Sequence, residues 1–298
     1  MMAAEPRKPG RLQVAKTYKL FIGGAFPRTE SGRVVRCLTT TGDFVANVSR
    51  ASRKDFRDAV TAARKAHEGW AARTAFNRGQ VLYRTAEMLE SRRDAFVASL
   101  VRIHGAGRAS AVAEVDAAVD RLVWYAGWCD KLPQVLGAAN PVAGPFFNLS
   151  SPEPIGVVAL FAPPDAPLLS LVSTIAPIVC GGNSVVVTVP TSSAVIAIDL
   201  AEVFATSDLP GGVVNILTAG RDEMLATAAA HRDVDAVAAV GLSGSEHAAL
   251  EVAASESIKR VWVEASTDSA GWRSPARQSL YRVTPFLETK TSWHPMGS

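Results

Sequence analysis

Between residues 155 and 264 the chain carries five short strand-like segments, each long enough for a strand and too short for a helix. They fall at 155–161, 184–189, 213–217, 234–240 and 259–264, with helical spacing between most of them. Residues 155–161 form a continuous apolar run, as expected for a strand covered on both faces, and 184–189 is a second such strand. Valine dominates 184–189, and β-branched side chains fit a pleated, packed surface. Strand–helix alternation gives right-handed crossovers, and those build a parallel sheet covered on both sides by helices.

Residues 154–270 are therefore predicted to form an α/β, Rossmann-like core. Within it, a helix over 168–179 stops at Gly181-Gly182, and another over 245–254 opens at Ser243-Gly244-Ser245. The part before it, 17–128, has a different period. Phe56, Ala59, Val60, Ala63, Ala66 and Trp70 recur at helical steps, the mark of one apolar face. Ser52 and Asp55 have the spacing of a capping box at its start. Further helices are predicted over 76–89 and 110–131, with Trp124, Tyr125 and Trp128 on a packing face. A short strand over 19–26 turns at Gly23-Gly24.

Residues 1–16 are polar and expected to be disordered. Residues 129–153, with Pro133, Gly137, Pro141, Gly144, Pro145 and Pro152, read as an extended hairpin. In the tail, 271–298, residues 280–293 read as extended, and Pro285 suits an edge strand better than a central one.

Composition excludes several classes. The 31 basic and 28 acidic residues nearly balance, and no basic stripe suggests nucleic acid. The most apolar stretch, 155–180, is interrupted by Pro163, Pro164, Asp165, Pro167 and Pro177, so it offers no membrane span. The N-terminus lacks the apolar centre of a signal peptide, and a cytoplasmic protein is expected. His67, His104, His231, His247 and His294 show no metal-ligand spacing. Cys37, Cys129 and Cys180 are odd in number and far apart, which suggests neither a disulfide framework nor a zinc site.

Several motifs together resemble the aldehyde dehydrogenase superfamily. They are Glu153-Pro154-Ile155-Gly156-Val157-Val158, Ala176-Pro177, Gly182-Asn183-Ser184-Val185-Val186-Val187, and Leu209-Pro210-Gly211-Gly212-Val213-Val214-Asn215-Ile216. Phe21-Ile22-Gly23-Gly24 and residues 70–78 fit the family's N-terminal strand and helix. Ser243-Gly244-Ser245 is similar to its turn under the cofactor pyrophosphate, and Val261-Trp262-Val263-Glu264 to the strand ending in its catalytic glutamate. The resemblance is collinear over about residues 17–266.

After Glu264 the likeness changes. The family continues with a catalytic domain bearing a nucleophilic cysteine, then a C-terminal strand that joins subunits. Here a few polar residues lead to 280–296, which resembles that final strand. Aldehyde oxidation by the family's route needs a thiolate to attack the carbonyl, and no cysteine follows Cys180. The family's oxyanion donor is an asparagine amide; this sequence has Pro163-Pro164-Asp165. An ionised carboxylate donates no hydrogen bond, and losing one such donor costs about 2.7–4 kcal/mol. Asp165 and Glu264 are accordingly read as vestiges, with no catalytic residue expected.

The resemblance implies NAD as cofactor, yet Thr188 and Thr191 stand where the family has a lysine and a glutamate for the adenine ribose. Ser243, Gly244 and Ser245 remain, before a helix whose amides can hold a phosphate or simply be capped. NAD binding is expected to be absent or weak.

The chain resembles most the shortened, actinobacterial-type subunits encoded beside a complete aldehyde dehydrogenase, and the degenerate second half of double-domain members. The reading is a non-catalytic subunit that joins a full-length aldehyde dehydrogenase through 129–153 and 280–296. An extended edge is a liability unless paired, and strand addition to a partner is its natural use. Two alternatives stay open: an NAD-dependent oxidoreductase with residual activity on aldehydes, and a dinucleotide-binding regulator without chemistry.

Overall fold

The computed structural model describes residues 16–297. Apart from Lys16, the N-terminal stretch expected to be disordered lies outside the described residues. The fold begins with β1 (Thr17–Tyr18), β2 (Val34–Leu38) and β3 (Phe44–Ser49), a small sheet in the order β1-β3-β2. Four helices follow: α1 (Arg53–Ala71), α2 (Ala75–Glu90), α3 (Arg93–His104) and α4 (Arg108–Ala126). The capping box that starts α1 is formed. Ser52 Oγ accepts from the Lys54 and Asp55 amides, and the Asp55 carboxylate accepts from the Ser52 amide at 2.8 Å.

Two sequence expectations need correction here. The helix read over 110–131 ends at Gly127, and a separate short helix α5 (Leu132–Leu136) follows, with proline at its start. The strand read over 19–26 is mostly a tight turn. Ile22 and Ala25 exchange both backbone hydrogen bonds, with Gly23 and Gly24 at φ +62° and +82°.

Beyond α5 come β4 (Ala138–Asn140), β5 (Phe146–Pro154), β6 (Val157–Phe161), α6 (Leu169–Cys180), β7 (Ser184–Val189), α7 (Ala194–Ala205) and β8 (Val214–Thr218). The chain continues through α8 (Arg221–Ala230), β9 (Ala236–Val240), α9 (Gly244–Ser255), β10 (Arg260–Glu264), α10 (Ser269–Arg273) and β11 (Leu287–Pro295). Strands β10-β9-β6-β7-β8 form a five-stranded sheet, parallel throughout, as the apolar runs predict. Every residue of β6 to β9 is buried. Val158, Leu160, Val185 and Val187 pack one face against α2, α4, α6 and α7. Val157, Ala159, Val186 and Val237 pack the other against α1, α8 and α9.

The third sheet is antiparallel, in the order β11-β5-β4, and runs from the pair Leu287–Pro154 to the pair Pro295–Phe146. Its C-terminal edge strand is shorter than the sequence suggested. Leu280–Arg282 and Thr284–Phe286 are single 3₁₀ turns, and Pro285 sits in the second of them. A proline-fixed φ serves a turn as well as an edge strand, so the pattern did not separate the two. No helix among the described residues is long and apolar enough to cross a membrane.

One buried side chain ties the sheets together. Asn183 Oδ1 accepts from the Gly156 amide at 2.9 Å, while Nδ2 donates to the Phe286 carbonyl at 2.8 Å and the Ile178 carbonyl at 3.3 Å. It joins the start of β6, the end of α6 and the turn that launches β11. Asn183→Ala orphans those partners and should cost roughly 3 kcal/mol in urea unfolding. Amide exchange over 287–295 should accelerate with it; unchanged exchange there would show that β11 is held by other means.

Candidate functional site

In the parallel sheet the chain order reverses between β6 and β9, because β7 and β8 lie on one side and β9 and β10 on the other. Crevices for ligands open at the carboxyl ends of strands at such a switch point. Glu264 closes β10 at that end, and the Pro163-Pro164-Asp165 turn follows β6 there.

Glu264 is engaged on both oxygens. Arg282 Nη1 donates to Oε1 at 2.7 Å and to Oε2 at 2.8 Å, and Arg277 Nη1 also donates to Oε1. The Arg282 side chain is 7% exposed. Its guanidinium lies 5.1 Å from the Trp262 ring centre and 5.8 Å from that of Trp272, and Arg277 lies 4.5 Å from Trp272. Arg282 Nε and Nη2 have no oxygen or nitrogen partner; the indole faces offer them π density instead.

Arg121 completes the cluster from α4. It donates to Ser173 Oγ at 3.1 Å and to the Trp272 carbonyl at 3.2 Å. Burial pulls Arg121 down to about 10 and also lowers Arg282 and Arg277, while it pushes the neighbouring Tyr125 up to about 12. A carboxylate held by two guanidiniums is an anchor for the segment that carries them, Arg277 and Arg282. A general base needs its acceptor oxygen within reach of a substrate proton, and here those oxygens face arginine.

Ser243, Gly244 and Ser245 are exposed at the start of α9. Ser243 caps that helix through a box with Glu246. The Ser243 amide and hydroxyl each donate to Glu246 Oε2 at 2.8 Å, and Ser243 Oγ accepts from the Glu246 amide. Glu246 Oε1 lies 3.3 Å from Arg221 Nε. The Ser243 bonds chiefly, and Arg221 after them, hold the Glu246 carboxyl below the usual carboxylate range.

Arg221 Nη1 donates to the Val240 and Gly241 carbonyls, each at 3.2 Å. Its side chain lines a cavity of about 200 Å³ with Phe161, Ala162, Pro164, Thr188 and Ala219. Thr188 is buried and its hydroxyl has no partner; Thr191 begins the turn after β7. Asp165 is exposed, beside Ala166 at φ +46°.

The thiols lie elsewhere. Cys37 is buried in β2. Cys180 ends α6 just before β7, at the amino end of the sheet, a strand length of roughly 16 Å from the end that Glu264 occupies. Sequence separation misled in one respect: Cys129 and Cys180 are in contact, with sulfurs 3.5 Å apart. The arginine cluster was also missed. Arg121 shares the buried stripe of Val115, Ala118, Leu122 and Tyr125, and a charge within an apolar stripe was the available signal.

The chain is similar to known proteins over most of its length. The aldehyde dehydrogenase family matches residues 27–271. Cytosolic aldehyde dehydrogenase 1 of Elephantulus edwardii is 33% identical over 253 residues, covering 83% of this chain and 50% of that protein. Retinal dehydrogenase 2 of Mus musculus is 32% identical over 266 residues, covering 87% and 50%. Among solved structures, an NAD-dependent aldehyde dehydrogenase from Sinorhizobium meliloti has a TM-score of 0.80 at 25% identity, covering 89% of this chain and 53% of that one. An NAD+ complex of an aldehyde dehydrogenase from Bacillus cereus has a TM-score of 0.79 at 27% identity, covering 84% and 51%. The chain spans about half the length of these relatives.

Removing one member of the ion cluster should be costly. Arg282→Met leaves Glu264 largely buried with Arg277 alone and should destabilise the fold by roughly 3 kcal/mol, read by tryptophan fluorescence in urea. The double variant Arg282→Met, Glu264→Leu should recover most of that loss. Equal destabilisation by single and double variants would mean that the two side chains do not act as a pair.

Proposed function

The chain belongs to the aldehyde dehydrogenase family, and we propose that it serves there as a non-catalytic subunit, a scaffold that assembles with a full-length NAD-dependent aldehyde dehydrogenase through residues 129–153 and 280–296. The observation that carries this reading is the state of Glu264. The residue at the position of the family's general base is tied to Arg282 and Arg277, Cys129 and Cys180 lie together at the other end of the sheet, and Cys37 is buried in β2.

Two features support the reading that the dinucleotide is held weakly. Ligand pockets commonly measure about 300–1,000 Å³, whereas the cavity beside Thr188 and Arg221 measures about 200 Å³. At the start of α9 the carboxylate of Glu246, bonded to Ser243 and paired with Arg221, competes with any phosphate for the cap. NAD, the ligand of the Bacillus cereus relative, would bind this chain weakly or not at all. No chemical step is assigned to it.

The three-stranded sheet supports assembly. Phe146, Phe147, Leu149 and Trp293 are 39–58% exposed, and Phe147 and Leu149, two residues apart, share one face of β5. The outer edge of β11 can accept a further strand. Apolar side chains beside an open edge suit a partner surface better than water.

Three measurements test the reading. The isolated chain, given NAD and a small aliphatic aldehyde, should form no reduced nicotinamide. Calorimetric titration should give a dissociation constant weaker than about 1 mM, or some 4 kcal/mol of binding at most. Co-expression with a full-length aldehyde dehydrogenase from the same organism should give a mixed complex by native mass spectrometry, lost in Trp293→Asp. Turnover that vanishes in Glu264→Gln would overturn the proposal, as would a chain that stays monomeric beside that partner.

A further inference from the structure

Cys129 follows α4 and Cys180 ends α6, yet their sulfurs stand 3.5 Å apart. Both are fully buried. Both thiols point at one acceptor, the Tyr125 carbonyl, at 3.5 Å and 3.3 Å. Hydrogen bonding to Cys129, then burial, pushes the Cys180 thiol up, which keeps that sulfur protonated and slow to react at rest. Cys129 lies behind one wall of an open groove between α2 and α4. Gly79 and Ala126 line that groove, and a Cβ placed on Gly79 would stand 3.6 Å from Cys129 Cβ.

The pair also sits at the root of the β4-β5-β11 sheet. Cys180 is followed directly by Gly181-Gly182-Asn183. A Cβ at Gly181 would meet Leu287, the first residue of β11, at 3.1 Å, and one at Gly182 would meet Pro154, the last of β5, at 3.3 Å. Asn183 holds the Phe286 carbonyl. On the other side, Cys129 leads through α5 into β4.

We propose that Cys129 and Cys180 form a redox-active dithiol, a modification site that oxidants of the peroxide class convert to a disulfide and that couples the redox state to the anchoring of β11. The chemistry balances in two steps. The thiolate of Cys129 attacks one peroxide oxygen and the O–O bond breaks; the hydroxide that leaves takes up the thiol proton as water, and a sulfenic acid remains. Cys180 then attacks that sulfur, the S–S bond forms, the S–O bond breaks, and the departing hydroxide takes the second thiol proton as water. The two sulfurs lose two electrons and the peroxide gains two. Closing the bridge draws the sulfurs from 3.5 Å to about 2.0 Å, which moves the ends of α4 and α6 together beneath Asn183.

The inference is independent of the scaffold reading. The full-length chain is treated with hydrogen peroxide, alkylated in denaturant, and mapped by peptide mass spectrometry without reduction. A second sample is refolded from urea in a glutathione redox buffer, which exposes every thiol and removes access as an obstacle. Both should yield a Cys129–Cys180 cross-linked peptide reversed by dithiothreitol, with Cys37 alkylated as a free thiol. Cys180→Ser should abolish the bridge. Amide exchange over 287–295 should differ several-fold between oxidised and reduced protein. A bridge involving Cys37, or no bridge after refolding, would overturn the site; a bridge that leaves exchange over 287–295 unchanged would overturn the coupling.

Discussion

The contact on which the C-terminal part of the molecule depends is that between Glu264 and Arg282. Moving a carboxylate and a guanidinium out of water costs several kcal/mol per ion, and only good geometry and further partners offset that. Here Arg282 Nη1 reaches both Glu264 oxygens, Arg277 adds a second donor, and Trp262 and Trp272 face the cations. Removing the carboxylate would leave Arg121, Arg277 and Arg282 close together with no counter-charge. The pairing therefore specifies where residues 265–286 run as much as it stabilises them.

That path gives the segment its role. From Glu264 it passes through α10, where Trp272 is wholly buried against α4 and α6, and returns alongside β10. Phe286 meets the Trp262 ring edge-on, and Arg260 donates to the Leu287 carbonyl. Asn183 then takes the Phe286 carbonyl, and β11 begins in register with β5. Unpaired sheet edges need cover. The open flank of β10 receives it from a loop fastened by ions at one end and by an amide side chain at the other.

How much of this was legible in the sequence depended on what kind of force sets each part. The parallel sheet was plain because four of its five strands, β6 to β9, are buried on both faces, so composition marks them. The capping box at Ser52 and Asp55 was plain because it is local. Strands β2 and β3 went unread: Val34, Leu38 and Phe44 are partly exposed, and short hairpins with mixed exposure give little contrast. The arginine cluster and the cysteine pair were hidden for another reason. Arg282 to Glu264 and Cys129 to Cys180 are tertiary meetings, and sequence separation carries no sign of them. In a linear reading Arg277 is a solvated charge in a polar turn and Arg282 one more charge in an extended segment.

The start of α9 shows how one local motif can answer two needs. A helix N-terminus presents free amides and a partial positive charge, which serve a bound phosphate or the helix's own cap equally well. Ser243 and Glu246 take the second course, and Arg221 steadies the carboxylate from α8. For an external anion to use the same amides, Glu246 would have to give up a cap worth about 1 kcal/mol and a partly exposed ion pair worth less. Two ordinary interactions of that size lower any phosphate affinity about tenfold or more. The turn thus serves the stability of α9, which explains how Ser243-Gly244-Ser245 can look like a cofactor motif while acting as a helix cap.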